Sequence, residues 1–113
     1  MRLDLSSGAV TARTTIKRPD NLTWGMEGKL LVASHTDSFF ELMKCRDLPQ
    51  DSCGSAFEIV TLDPQTMAQF VILAHRGAPI GGVSVATQVG ENLFLGSVAG
   101  DRVARWHVVG ATP

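Results

Sequence analysis

The sequence predicts an all-β fold of about two four-stranded sheets, the unit that forms a blade of a β-propeller, with one short helical insertion. Three observations predict it. Most of the chain divides into short runs that alternate apolar and polar residues, rich in Val, Ile, Thr and Phe and separated by Gly, Pro, Asp and Asn. The chain also repeats itself. And its 113 residues, 44% hydrophobic and 19% charged, have a globular composition that suffices for one small domain.

The elements follow in order. Leu3-Asp4-Leu5 leads into a Ser6-Ser7-Gly8 turn, and Ala9 to Ile16 alternates as a strand. Asn21 to Trp24 is a short strand, Gly25-Met26-Glu27-Gly28 a turn, and Lys29 to Ser34 an apolar strand ending at His35. Asp37 to Arg46 is the one helical piece, with Phe39, Phe40, Leu42 and Met43 as its apolar stripe. Phe57 to Leu62 alternates, Asp63-Pro64-Gln65-Thr66 turns the chain, and Gln69 to His75 returns. After the glycine-rich loop Gly77 to Gly82, Val83 to Val89 and Asn92 to Val98 flank Gly90-Glu91, and Val103 to Val109 is last. That makes about eight strands, or two blades.

The repeat sets the architecture. "LDLSSGAVTARTTI" (3–16) matches "LDPQTMAQFVILAH" (62–75): each is Leu-Asp, a turn, and a climb into an apolar strand. "TWGMEGKLLVASH" (23–35) matches "ATQVGENLFLGSV" (86–98) as strand, turn and strand. An all-strand repeat longer than a lean blade of about 40–45 residues suggests propeller blades, with the excess taken up by an insertion at 37–55. A propeller is stabilised by a closed ring of about 4–8 blades. Two blades alone leave apolar faces open, so the chain is a piece of a longer propeller, closes by association, or folds as a compact sandwich. The expectation taken forward is one partial domain over 1–113 that corresponds to C-terminal blades.

Composition excludes several function classes. A net charge of −1 lacks the basic excess of a nucleic-acid binder, and the pair Lys17-Arg18 is expected on a solvated surface. Apolar runs such as Phe70 to Ala74 fall short of the ~20 residues of a membrane span, and Met1-Arg2-Leu3-Asp4 is not followed by the apolar segment of a signal peptide. "RGAPIGGVS" has no phosphate-loop lysine, and no GxSxG elbow occurs. Cys45 and Cys53 flank a polar loop as either a local disulfide or two free thiols; no second Cys/His pair supports zinc.

The chemistry-bearing stretch is "RPDNLTW" (18–24). Asp20 and Asn21 offer a charged and a neutral oxygen, the donor types a hard cation such as Ca²⁺ takes. Adjacent strand residues point to opposite faces, so the two reach one ion only where a bulge breaks the pleat. The alternatives are an Asx turn and, for Asn21-Leu22-Thr23, a glycosylation acceptor. His35, at the end of an apolar strand, is either a general base or substrate contact, or a hydrogen-bonded structural histidine. His75 and His107 are read as structural or surface residues.

With these residues in view, "PDNLTWGMEGKLLVASH", "FEIVTLDP" and "GGVSVATQVGENLFLGSVAGDRVARW" together resemble the C-terminal third of the calcium-dependent six-bladed propeller hydrolases. The paraoxonase/arylesterase group is nearest, with gluconolactonase-like and strictosidine-synthase-like families further off. The resemblance implies calcium ligation by Asp20 and Asn21, a place for His35 in the active-site wall as the catalytic candidate, and wall positions for Ser84 and Val98. It implies hydrolysis of lactones or activated esters. It further implies that the rest of the calcium shell belongs to preceding blades, so that the chain is inactive alone. The competing expectation is a non-catalytic binding or scaffold module that self-associates through open blade edges.

Overall fold

The structure is a computed structural model that describes residues 1–46 and 53–108. The expected strand end at Val109 and the loop between the cysteines, 47–52, lie outside the described residues. The fold is all-β: the described residues form nine strands in three antiparallel sheets of two, four and three strands. β1 (Arg2–Leu3) pairs with β2 (Val10–Ala12). The central sheet is a meander of β3 (Pro19–Trp24), β4 (Leu30–His35), β5 (Phe57–Leu62) and β6 (Gln69–His75). The third sheet runs β7 (Val83–Val89), β8 (Asn92–Ser97), β9 (Ala104–His107). No helix among the described residues is long and apolar enough to cross a membrane.

The repeat is written in hydrogen bonds. Asp4 N–H donates to Ala9 O and Gly8 N–H to Asp4 O, each at 2.8 Å; Asp63 N–H donates to Ala68 O at 2.9 Å and Met67 N–H to Asp63 O at 2.8 Å. In both turns the aspartate carboxylate accepts the next N–H groups, Ser6 and Ser7 for Asp4, Gln65 and Thr66 for Asp63. The left-handed place falls on Gly8 in one copy (φ 72°) and on Met67 in the other (φ 64°). Thus β1–β2 repeat the β5–β6 hairpin, the outer half of a four-stranded sheet.

Two elements depart from expectation. β2 stops at Ala12 rather than Ile16, because Thr14 and Thr15 leave the strand to accept the side-chain amide of Gln69 on β6. The helix α1 spans Phe39–Met43 rather than Asp37–Arg46: Ser38 is its N-cap, accepting from Glu41 N–H at 3.2 Å. Asp37 is drawn away to the sheet, as described below. The expected apolar stripe does not form, since Phe39 and Phe40 are exposed and only Leu42 and Met43 are partly covered. Of the two thiol arrangements, the structure has the disulfide Cys45–Cys53, whose Cα atoms lie 5.1 Å apart.

The core lies between the central and third sheets. Paired residues share a face, so Leu31, Ala33 and Ile59 of the central sheet form one surface, and Ala86, Leu93 and Leu95 of the third form the surface that meets it. Phe57, Leu73, Ile80, Val83 and Val108 complete the cluster. Ile59, Val83 and Leu93 are fully buried. Dry, close-packed contacts of this kind carry most of a small domain's stability. Ile59→Ala is expected to cost about 2–5 kcal/mol, read as a lower urea midpoint with unchanged slope.

Candidate functional site

The packing of the sheets brings β3 beside β7. Thr23 Oγ1–H donates to Ala86 O at 2.6 Å, and Asn21 Nδ2–H donates to Ser84 O at 3.2 Å. The first strand of one sheet therefore lies along the first strand of the next.

At this seam β3 is irregular. Its pairing with β4 slips between Pro19 and Leu22, a bulge at Asp20-Asn21, and Arg18 just before has a left-handed φ of 36°. Breaking the pleat turns the two neighbouring side chains to the same side: Asn21 Nδ2–H donates to Asp20 Oδ1 at 3.0 Å. Asp20 Oδ2 meets His35 Nε2 at 2.9 Å. An ionised carboxylate only accepts, which assigns the ring hydrogen to Nε2. Nδ1 is buried with no hydrogen-bond partner among the described residues, on a histidine that is 4% exposed. Unpaired buried polar atoms are uncommon and costly, so this one marks the site.

Four of the five expected residues thus converge: Asp20, Asn21, His35 and Ser84. Ser84 contributes its backbone oxygen, while its hydroxyl faces Gly96 O at 3.5 Å. Val98 stands apart. It is exposed beyond the end of β8 with its N–H on Gly82 O at 3.0 Å, and no described contact joins it to Asp20. His75 is structural, with Nε2–H on Ala78 O at 2.7 Å, and His107 faces Glu91 at 3.7 Å. The acceptor nitrogen of the glycosylation pattern at Asn21 is engaged with Asp20 and Ser84. Arg18 is more than a solvated charge: its guanidinium donates to Asp37 O, and its own carbonyl accepts from His35 N–H.

The calcium reading meets a partial donor set. One carboxylate and one amide lie together, whereas Ca²⁺ takes about 6–8 oxygens. Among the described residues no group of three or more His, Cys, Asp or Glu could hold a metal. Both oxygens of Asp20 are engaged within the chain. The pair by itself falls well short of the oxygens a calcium shell needs.

Sequence reasoning missed the clamp behind the site. Asp37 accepts two parallel hydrogen bonds from Arg76, Oδ1 from Nη2 at 2.9 Å and Oδ2 from Nη1 at 3.0 Å, and a third from Ala56 N–H at 2.9 Å. The signal was in the register: His35, Phe57 and His75 are aligned across β4, β5 and β6, so the residues flanking them meet. The Ala56 N–H first, then the Arg76 guanidinium, hold the Asp37 carboxyl below its ordinary value of 3.8. No protein-family model matches the chain, and no curated protein or solved structure is matched by it.

A carboxyl depressed by folding stabilises the fold above its unfolded pKa and loses that contribution as pH falls through the folded value. Asp37, Asp4 and Asp63 are all depressed, so stability is expected to fall below about pH 4. Asp37→Asn should flatten that acid limb in urea titrations at pH 2.5–5, where an unchanged slope would remove Asp37 from the account.

Proposed function

We propose that the chain forms the C-terminal blades of a calcium-dependent propeller hydrolase of the lactonase or arylesterase type, inactive until further blades complete its site. The observation that carries the reading is the bulge, which sets Asp20 and Asn21 side by side at the seam between two sheets with His35 behind them. Support also comes from the repeated turns and from the first strands lying together at the seam.

In this reading Asp20 and Asn21 give an ion its first protein oxygens, and the remaining donors come from blades around the ring. A bound Ca²⁺ would supply Lewis-acid polarisation of an ester or lactone carbonyl. His35 is the catalytic candidate beside it: its Nε2 fixes the Asp20 carboxylate, and its Nδ1 is left without a partner among the described residues. Ser84 lines the opposite side of the seam through its backbone. Val98 makes no described contact with the pair.

Terbium, which takes the same oxygen ligands as calcium, tests the pair directly. The chain is expected to give tryptophan-sensitised Tb³⁺ emission that Ca²⁺ competes away in the millimolar range, with binding weakened about tenfold or more in Asp20→Ala and Asn21→Ala. It should not hydrolyse lactones by itself. Emission unaffected by Ca²⁺, or unchanged in both variants, would remove calcium from the reading.

A further inference from the structure

We infer, resting on the calcium reading, that the backbone oxygen of Ser84 is a third ligand of the cation, and that the side-chain amide of Asn21 stands in the cation's place until it turns over. Cation binding is thereby gated by one side chain, and it ties the central sheet to the third.

Two bulges meet at the seam. In β3, Pro19 lies opposite Ser34 and Leu22 opposite Val32, so Asp20 and Asn21 share one place along β4. In β7, Val83 lies opposite Ser97 and Val85 opposite Gly96, so Ser84 has no partner on β8. The extra residue of a bulge is left out of the ladder, and the Ser84 carbonyl turns to β3 instead, where it accepts from Asn21 Nδ2–H at 3.2 Å. Asn21 and Ser84 are 63 residues apart, and so are Thr23 and Ala86, the other pair bonded across the seam. This is the offset of the strand, turn and strand repeat, so the two bulges hold the same place in their two copies.

The amide nitrogen marks a point on which oxygens converge. Asn21 Nδ2 donates both to Asp20 Oδ1, at 3.0 Å, and to Ser84 O. A carboxylate and a carbonyl only accept, so the nitrogen end of the amide lies between them and the oxygen end is turned away. A hard cation is the other kind of group that a carboxylate oxygen and a backbone carbonyl hold in common. The second carboxylate oxygen, Asp20 Oδ2, is occupied by His35 Nε2 at 2.9 Å, which fixes the carboxylate with Oδ1 toward the amide. Turning the amide over releases Asp20 Oδ1 and Ser84 O together and puts Asn21 Oδ1 where the nitrogen stood. One charged and two neutral oxygens, drawn from both sheets, then face a single ion. Asn21 is exposed, so the turn disturbs no packing and its amide hydrogens pass to water. Asp20 and Asn21 alone do not supply such a set; the bulge at Ser84 adds the oxygen from the other side of the seam.

The test is an NMR titration of the isotope-labelled 113-residue chain with CaCl₂, followed at the Ser84 carbonyl carbon and the Asn21 side-chain amide. Both signals are expected to move along the same binding curve on which Ca²⁺ displaces Tb³⁺, with the Asn21 amide hydrogens exchanging faster with water as they leave their acceptors. Asn21→Asp keeps a ligand oxygen but has no amide to turn. It should bind Ca²⁺ about tenfold more tightly than the parent, and melt lower than the parent without Ca²⁺ but regain the difference with it. If Asn21→Asp does not fold, the titration of the parent chain decides alone. Displacement of Tb³⁺ by Ca²⁺ that depends on Asp20 while either the Ser84 carbonyl or the Asn21 amide stays fixed would overturn the inference and leave the calcium reading standing. Failure of Ca²⁺ to displace Tb³⁺ at all would overturn both.

Discussion

The packing of the Leu31, Ala33 and Ile59 surface on the Ala86, Leu93 and Leu95 surface is the contact on which the rest of the molecule depends. Each sheet alone is a meander with two faces to cover. The N-terminal segment lies on one face of the central sheet, where Val32, Val60 and Leu62 are buried, and α1, short and solvent-facing, covers neither face. Pressing the two sheets together buries the apolar residues of both and draws β3 alongside β7. Without that contact, Asn21 would not reach Ser84, nor Thr23 reach Ala86.

The polar features are arranged around this contact. Arg18 on the backbone carbonyl of Asp37 and Arg76 on its carboxylate tie the start of β3, the exit from β4 and the exit from β6 to one residue, while Ser34 Oγ–H donates to Lys17 O. These bonds hold the bulge from behind and fix where Asp20 meets His35. The loop before β7 is locked in the same way. A side chain at Gly81 would come within 2.4 Å of Cys53 O, so only glycine permits the disulfide-closed insertion to lie against it.

Much of the fold was legible in the sequence, because the strands β5, β6 and β7 are short runs rich in Val, Ile, Phe and Thr that sit between Asp, Pro and Gly turns. The Leu-Asp turns were legible as a repeat, since an aspartate capping its own turn is local chemistry. What failed was decided by contacts distant in sequence. Thr14 and Thr15 were captured by Gln69, and Asp37 was captured by Arg76 and Ala56 before it could start a helix. Of the site, the Asp20-Asn21 pair and His35 could be picked out by residue type and strand position. That Asp20 and His35 would touch depended on the slip in the β3–β4 register, which no local pattern announces. Val98 was carried by resemblance alone, and no geometry ties it to the others.

The central and third sheets are expected to unfold as one cooperative body. Native-state amide hydrogen exchange reads this most directly. The slowest amides of β4, β5 and β8 are predicted to exchange at one common rate set by global unfolding, while those of β1 and β2 exchange early. Separate protection, with β8 opening at a much lower free energy than β4 and β5, would contradict the claim and dissolve the seam on which the site is built.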